Sequence, residues 1–179
     1  TPVAVDYAAA ITALNELDPE AGLFHREYSS DGVPNNGSKP RAYFTGENAG
    51  RIDAMRRTIR EWADHGLPQD SVELLLHDLV LAGNAFANIA GTYGYYRSKW
   101  NAKSQQRFAL TASPAVEMAG GHTVLQGRLE TLAPTLDVDA CYLDPPYTKR
   151  QYGGNYHIPE TLARQDTPEP AGMGGLRDW

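Results

Sequence analysis

The stretch Ala140-Cys141-Tyr142-Leu143-Asp144-Pro145-Pro146-Tyr147 decides how this chain is read. Four residues suited to a packed strand are followed by a carboxylate and then by two prolines, which cannot donate to a sheet ladder. That order predicts a buried strand over 140–143 that stops at Asp144. A strand closed by a chemically active side chain is typical of an open parallel sheet, in which ligands lie beyond the carboxyl ends of the strands. An α/β fold with a mostly parallel sheet is therefore the expectation.

Working outward, the remainder of the chain alternates in the way that expectation requires. Residues 3–5 read as the end of a strand closed by Asp6, and 7–17 as a helix with Ile11, Leu14 and Leu17 on its apolar face. Helices are expected over 51–65 and 71–90, the second opened by Asp70 or Ser71 and closed at Gly91. Short strands are expected over 108–111 and 123–126, and a helical turn over 129–132. Residues 18–48, with the run SSDGVPNNGSKP, form the least regular part, and a loop of that length is either functional or disordered. The Pro/Gly-rich tail 166–175 reads as mobile. Arg51, Arg56, Arg57 and Arg60 read as the solvated face of a helix.

The residue types of the tetrapeptide suit one task, which is to hold and polarise a planar exocyclic amine. Such a nitrogen is a poor nucleophile because its lone pair is delocalised. A catalyst therefore gains by accepting hydrogen bonds from both N–H groups. Asp144 offers one acceptor and the Pro145 carbonyl the other, while the ring of Pro145 fixes φ and removes a competing donor. Pro146 stiffens the turn. Acceptors aimed in advance stabilise the cationic nitrogen that forms as a methyl group arrives. Tyr147 supplies a flat face for a base taken out of its helix, and stacking of that kind is worth roughly 1–3 kcal/mol per base. The competing reading is an ordinary Pro-Pro turn after a strand.

The string YLDPPYTKRQYGGNYHIPETLAR, residues 142–164, resembles the Dam-like, alpha-group DNA adenine-N6 methyltransferases, and AFANIAGTYGYYRSKW, residues 85–100, resembles a stretch they carry upstream of the catalytic motif. The resemblance implies a Rossmann-like fold, S-adenosylmethionine as cofactor, and base flipping in double-stranded DNA. It implies Asp144, Pro145, Pro146 and Tyr147 as the catalytic residues, and Asp6, Tyr7, Arg128 and Asp144 as contacts to the cofactor. Asp6 read without the resemblance is equally a helix cap. Two features depart from the family pattern. The glycine-rich loop that should precede Asp6 is not in the sequence, so the chain is expected to be an incomplete domain lacking its N-terminal part. Arg128 stands where the family places an acidic residue; it can stack on an adenine but cannot accept a hydrogen bond, so Glu130 is the alternative for that contact.

Composition sets further bounds. At 179 residues with 41% hydrophobic content, the chain is expected to form a single domain. One cysteine excludes an internal disulfide and suits a reducing cytoplasm, with Cys141 expected in the core. The five histidines show no metal-ligand spacing, and no metal is assigned. No stretch is apolar enough to predict a membrane span.

The net charge of −6 does not speak against DNA, because phosphate contact needs a local cationic face. Between Asp78 and Glu117 no acidic residue occurs, and Arg97, Lys99, Lys103 and Arg107 are interleaved with Tyr93, Tyr95, Tyr96, Trp100 and Phe108. Residues 18–48 and 91–107 are accordingly read as DNA-facing insertions. Arg97, Lys99, Trp100, Lys149, Arg150, Tyr152, Asn155 and Tyr156 are the candidate nucleic-acid contacts, whereas Tyr95 and Phe108 are expected in the core. Gly153 and Gly154 permit a flap that closes over an extruded base, or else a plain connection to a helix near Pro159 with His157 structural; the favoured reading mixes the two, with Lys149 and Arg150 on phosphate and Tyr156 packing. The readings kept beside DNA methylation are an RNA adenine-N6 methyltransferase and a non-catalytic DNA-binding or assembly subunit. A restriction endonuclease is the candidate protein partner.

Overall fold

The computed structural model describes residues 6–114, 121–145 and 152–178. Among these residues six α-helices follow in chain order: α1 Tyr7–Glu16, α2 Leu23–Tyr28, α3 Gly46–Asp64, α4 Gln69–Phe86, α5 Leu129–Leu132 and α6 Tyr152–Arg164. The chain divides into two units, one of residues 1–113 with 151–179 and the other of residues 114–150. Each has its own character.

The first unit is a helical assembly around one apolar core. Asp6 caps α1, accepting from the Ala9 N–H at 3.1 Å, and Thr45 caps α3 through the Asn48 N–H. Along α3 the buried Ala49, Ile52, Met55 and Ile59 recur at helical spacing, as do Val72, Leu75, Leu79, Ala82 and Phe86 along α4. Helix α4 also packs on α6. A Cβ at Gly83 would lie 2.8 Å from a methyl of Leu162, so the absence of a side chain there sets how closely these helices approach.

Charged groups are built into this core. Arg51 and Arg56, expected on a solvated face, are 3% and 5% exposed. The Arg51 guanidinium donates to the Leu17 carbonyl. Arg56 donates to the Asp166 carbonyl at 2.6 Å and stands 5.0 Å over the Phe24 ring. Only Arg57 and Arg60 fit the solvated reading. Arg57 pairs with Glu20 and Glu61, and Arg60 reaches the Gln165 carbonyl. Helix α2 has no capping side chain of its own; Asp53 of α3 accepts instead from the N–H groups of Gly22, Phe24 and His25 at 2.8–3.1 Å. Burial pushes the Asp53 carboxyl up from its ordinary range, against the pull of those three donors and of Arg56.

The segment 18–48 is thus neither disordered nor merely a loop. It contributes α2, the parallel bridge Ser29↔Phe44, and the fully buried Glu27, Arg41, Tyr43 and Phe44. The tail is likewise tied down. Ala171 and Leu176 form an antiparallel bridge, and Arg177 pairs with Asp166.

The expected α/β fold with a mostly parallel sheet is not what forms. Among the described residues there is no strand, and β pairing is limited to three isolated bridges. The reason is visible at each candidate. Over 108–111 the apolar residues Phe108 and Leu110 are buried, but their backbone is satisfied by side chains: Asn48 Oδ1 accepts from the Phe108 N–H, and Asn15 both accepts from the Leu110 N–H and donates to its carbonyl. Asparagines replace the neighbouring strand. Segments 123–126 and 140–143 belong to the second unit, where among the described residues no strand lies beside them and their apolar residues are exposed, Val124 by 94% and Tyr142 by 87%. Cys141, expected in the core, is exposed as well. Residues 3–5 lie outside the described residues. Among the described residues of the second unit, regular structure is limited to α5, which begins at the expected position, and a 3-10 turn over Ala133–Thr135.

His157 shows how the core of the first unit constrains a titratable group. Its ring is fully buried among Tyr28, Tyr43 and Tyr93, with centroids 5.7–6.3 Å apart, and its Nδ1 lies 3.3 Å from the Gly154 carbonyl. Desolvation holds its pKa down at about 4 although backbone carbonyls favour the charged form. Because the unfolded chain takes up this proton near the ordinary value of about 6.5, stability is full above that pH and is lost as pH falls towards 4, by about 3 kcal/mol for this group. Denaturant titrations at pH 7 and pH 5 should show the loss, and in His157→Gln it should be much smaller. An equal loss in the variant would show that other groups cause it.

Candidate active site and nucleic-acid interface

Asp144 and Pro145 are described, and Pro146 and Tyr147 lie outside the described residues. Both described residues are exposed and follow a stretch of the second unit without regular secondary structure. The Asp144 carboxylate and the Pro145 carbonyl are adjacent acceptors in the chain, and the proline ring restricts φ between them. In the same unit Arg128 stands at the N-cap of α5. Its carbonyl accepts from the Thr131 and Leu132 N–H groups, and its guanidinium lies 3.6 Å from Glu130, both side chains exposed. The two residues between which the sequence could not decide are neighbours of opposite charge.

In the first unit, Tyr7 donates its hydroxyl to the carboxylate of Asp78, which also accepts from the N–H and hydroxyl of Ser113. Burial and the adjacent carboxylate raise the Tyr7 phenol above its ordinary range. Its hydroxyl is thus committed to the fold. Asp6 stays exposed, with one carboxylate oxygen taken by the α1 cap.

The aromatic, basic loop after α4 is held by two backbone anchors. Asn88 is 1% exposed; its amide donates to the Ala42 and Arg97 carbonyls, its side-chain oxygen accepts from the Asn101 N–H, and its carbonyl accepts from the Arg97 N–H at 2.8 Å. The second anchor comes from α6. Pro159 has no N–H to offer the Asn155 carbonyl four residues earlier, and that carbonyl accepts from the Tyr93 N–H at 2.9 Å. The helix is kinked beside it, at Tyr156. A helix interruption and a loop anchor are the same feature.

These anchors sort the loop residues by role. Arg97 and Lys99 are exposed and Trp100 is half-buried. Two further cations of the segment serve the fold: Lys103 stands 4.1 Å over the Phe86 ring, and Arg107 donates to the Asn15 carbonyl. Tyr93 and Phe108 are buried, but Tyr95, expected in the core, is 48% exposed. On α6, Tyr152 and Tyr156 are exposed and meet edge to face at 5.4 Å, and Asn155 is half-buried. Gly153 and Gly154 are helical residues of α6, which begins earlier than expected. Lys149 and Arg150 lie outside the described residues. Sequence reasoning missed Asn88, whose only signal is an amide side chain just past the end of an apolar helix.

Among the described residues, no group of three or more His, Cys, Asp or Glu side chains could hold a metal, and no helix is long and apolar enough to cross a membrane. No solved structure matches the chain. Curated relatives do. The chain is 36% identical to the Type II methyltransferase M.NlaIII of Neisseria lactamica over 93% of its own length and 48% of the relative's. It is 36% identical to the Type II methyltransferase M.FokI of Planomicrobium okeanokoites over 78% of its length and 22% of the relative's. To the modification methylase LlaI of Lactococcus lactis subsp. lactis it is 34% identical, over 89% and 27%. The chain therefore spans about half or less of the length of these relatives. Residues 10–179, including the loop with its anchors and the Asp144-Pro145-Pro146-Tyr147 motif, match one family throughout, and the chain belongs to the D12 class N6 adenine-specific DNA methyltransferases.

Proposed function

We propose that the intact protein transfers a methyl group from S-adenosylmethionine to the N6 amino group of a flipped adenine in double-stranded DNA. The observation that carries this is the Asp144-Pro145-Pro146-Tyr147 motif inside a family match that covers nearly the whole chain. In this reading Asp144 and the Pro145 carbonyl accept the two amino hydrogens, Pro146 holds the turn, and Tyr147 stacks on the extruded base. As the nitrogen forms its new bond to carbon it becomes cationic, and it loses a proton afterwards; the Asp144 carboxylate stabilises the charge and accepts that proton. Arg97, Lys99, Trp100, Lys149, Arg150, Tyr152, Asn155 and Tyr156 contact the DNA, and the exposed Arg97 and Lys99 side chains suit phosphate.

The donor, S-adenosylmethionine, supplies an electrophilic methyl on a sulfonium. Each unit, taken by itself, carries side chains whose chemistry suits the donor's nucleoside part. Asp6 is exposed and, with one oxygen used as a cap, keeps acceptor capacity for ribose hydroxyls. Arg128 offers an exposed guanidinium plane for an adenine ring, and Tyr7 can contribute only its ring, because its hydroxyl is engaged with Asp78. The relatives bear the names of Type II methyltransferases and modification methylases, which supports a restriction endonuclease of the same specificity as the companion activity and the cytoplasm as the site of action. Titration calorimetry of the intact protein with S-adenosylmethionine should show binding. Absence of binding would overturn the enzyme reading in favour of a DNA-binding or assembly subunit.

A further inference from the structure

We propose that the stacked pair Tyr95–Tyr96 is a platform for an unstacked nucleobase. This rests on the DNA reading above and adds a site to it. The two rings lie nearly parallel, 17° apart with centroids 4.6 Å apart, so Tyr95 is backed by another ring on one face. Tyr95 is 48% exposed. Tyr96 is half-buried and meets the fully buried Tyr43 edge-on at 5.2 Å; its hydroxyl reaches the Pro40 carbonyl. Tyr43 is itself fixed, its hydroxyl lying 2.9 Å from the carbonyls of both Tyr93 and Gly174.

A ring supported in this way loses little freedom when a second flat group stacks on it, which removes part of the usual cost of ordering a surface side chain. The backbone beneath is just as constrained, since Ile89 and Tyr96 form an antiparallel bridge and Asn88 clamps Arg97 on both its N–H and its carbonyl. The immediate neighbours select the occupant. Arg97 and Lys99 are exposed cations two and four residues from Tyr95, with no acidic residue between Asp78 and Glu117. A flat ring beside cations suits a base attached to a phosphate chain. An apolar peptide segment would gain nothing from the cations, and a free phosphate nothing from the ring.

The test uses the full-length protein and two fluorescent single-stranded oligonucleotides of fifteen nucleotides, one of thymidines and one of abasic residues, with affinities from anisotropy. Tyr95→Ala should weaken binding to the thymidine strand roughly 5- to 100-fold and leave binding to the abasic strand unchanged, because only the former presents bases to stack. Tyr95→Phe should bind as the parent does, since the ring and not the hydroxyl is required, while Tyr95→Leu should behave like Tyr95→Ala. Equal affinities for parent and Tyr95→Ala on the thymidine strand would overturn the platform while leaving the DNA reading intact, as would equal losses on both strands. If the parent bound neither these strands nor duplex DNA, both readings would fall together.

Discussion

Asp144→Ala in the intact protein is expected, on the proposed function, to lower methyl transfer by at least ~10³-fold, at the upper end of what the loss of one preorganised electrostatic partner costs. Duplex affinity should stay within about threefold, because phosphate contacts carry most of it and Asp144 makes none in this reading. The size follows from two losses at once. One of two acceptors for the amino hydrogens disappears, and so does the negative charge facing the cationic nitrogen. Asp144→Asn separates them: it keeps an acceptor oxygen but adds a competing donor and removes the charge, so its rate should fall between those of the parent and the alanine variant. Burst or single-turnover measurement reports the chemical step itself. Full single-turnover rates in Asp144→Ala would refute the amine-clamp mechanism and return the tetrapeptide to an ordinary turn.

The contrast between what the sequence disclosed and what it hid follows from how locally each feature is encoded. Helices α1, α3 and α4 were legible because Ile11 and Leu14, the Ala49 to Ile59 series and the Val72 to Phe86 series repeat at helical spacing, and that repeat needs no knowledge of the partner. The Asp144 motif could be read as a candidate site because the residue types that suggest its chemistry stand in four consecutive positions. Strands carry no such guarantee. Residues 108–111 have the right apolar content for one, yet the groups that satisfy their backbone are Asn15 and Asn48, which are 60 to 95 positions away in sequence. The burial of Arg51 and Arg56 was hidden for the same reason, since their acceptors are backbone carbonyls at Leu17 and Asp166. Which tyrosine of Tyr93, Tyr95 and Tyr96 turns inward depends on the Asn155 carbonyl, released by a proline on another helix. Residue type alone cannot rank them.

The buried pair Glu27–Arg41 leads to the largest expected effect on stability. Both side chains are inaccessible to solvent and meet at 2.8 Å. Arg41 also donates to the Glu27, Asn36 and Gly172 groups, and Glu27 accepts from the Asn35 N–H and from Arg26. Burial alone would raise the Glu27 carboxyl, but these donors outweigh it and hold it below its ordinary value, so the charge persists inside the core. The irregular segment after α2 and the bridged turn at 171–176 are thereby fastened at one point. Removing one partner strands the other charge, so Arg41→Met should cost roughly 3–5 kcal/mol and lower the melting temperature by roughly 6–20 °C for a chain of this size. Glu27→Leu should cost a similar amount. The double variant should recover much of either loss, because an apolar pair leaves no unpaired charge behind. Denaturant titration of the four proteins gives the coupling directly. Additive losses in the double variant would mean that each side chain acts through its own backbone contacts, and that the ion pair itself does not hold segment 18–48 to the tail.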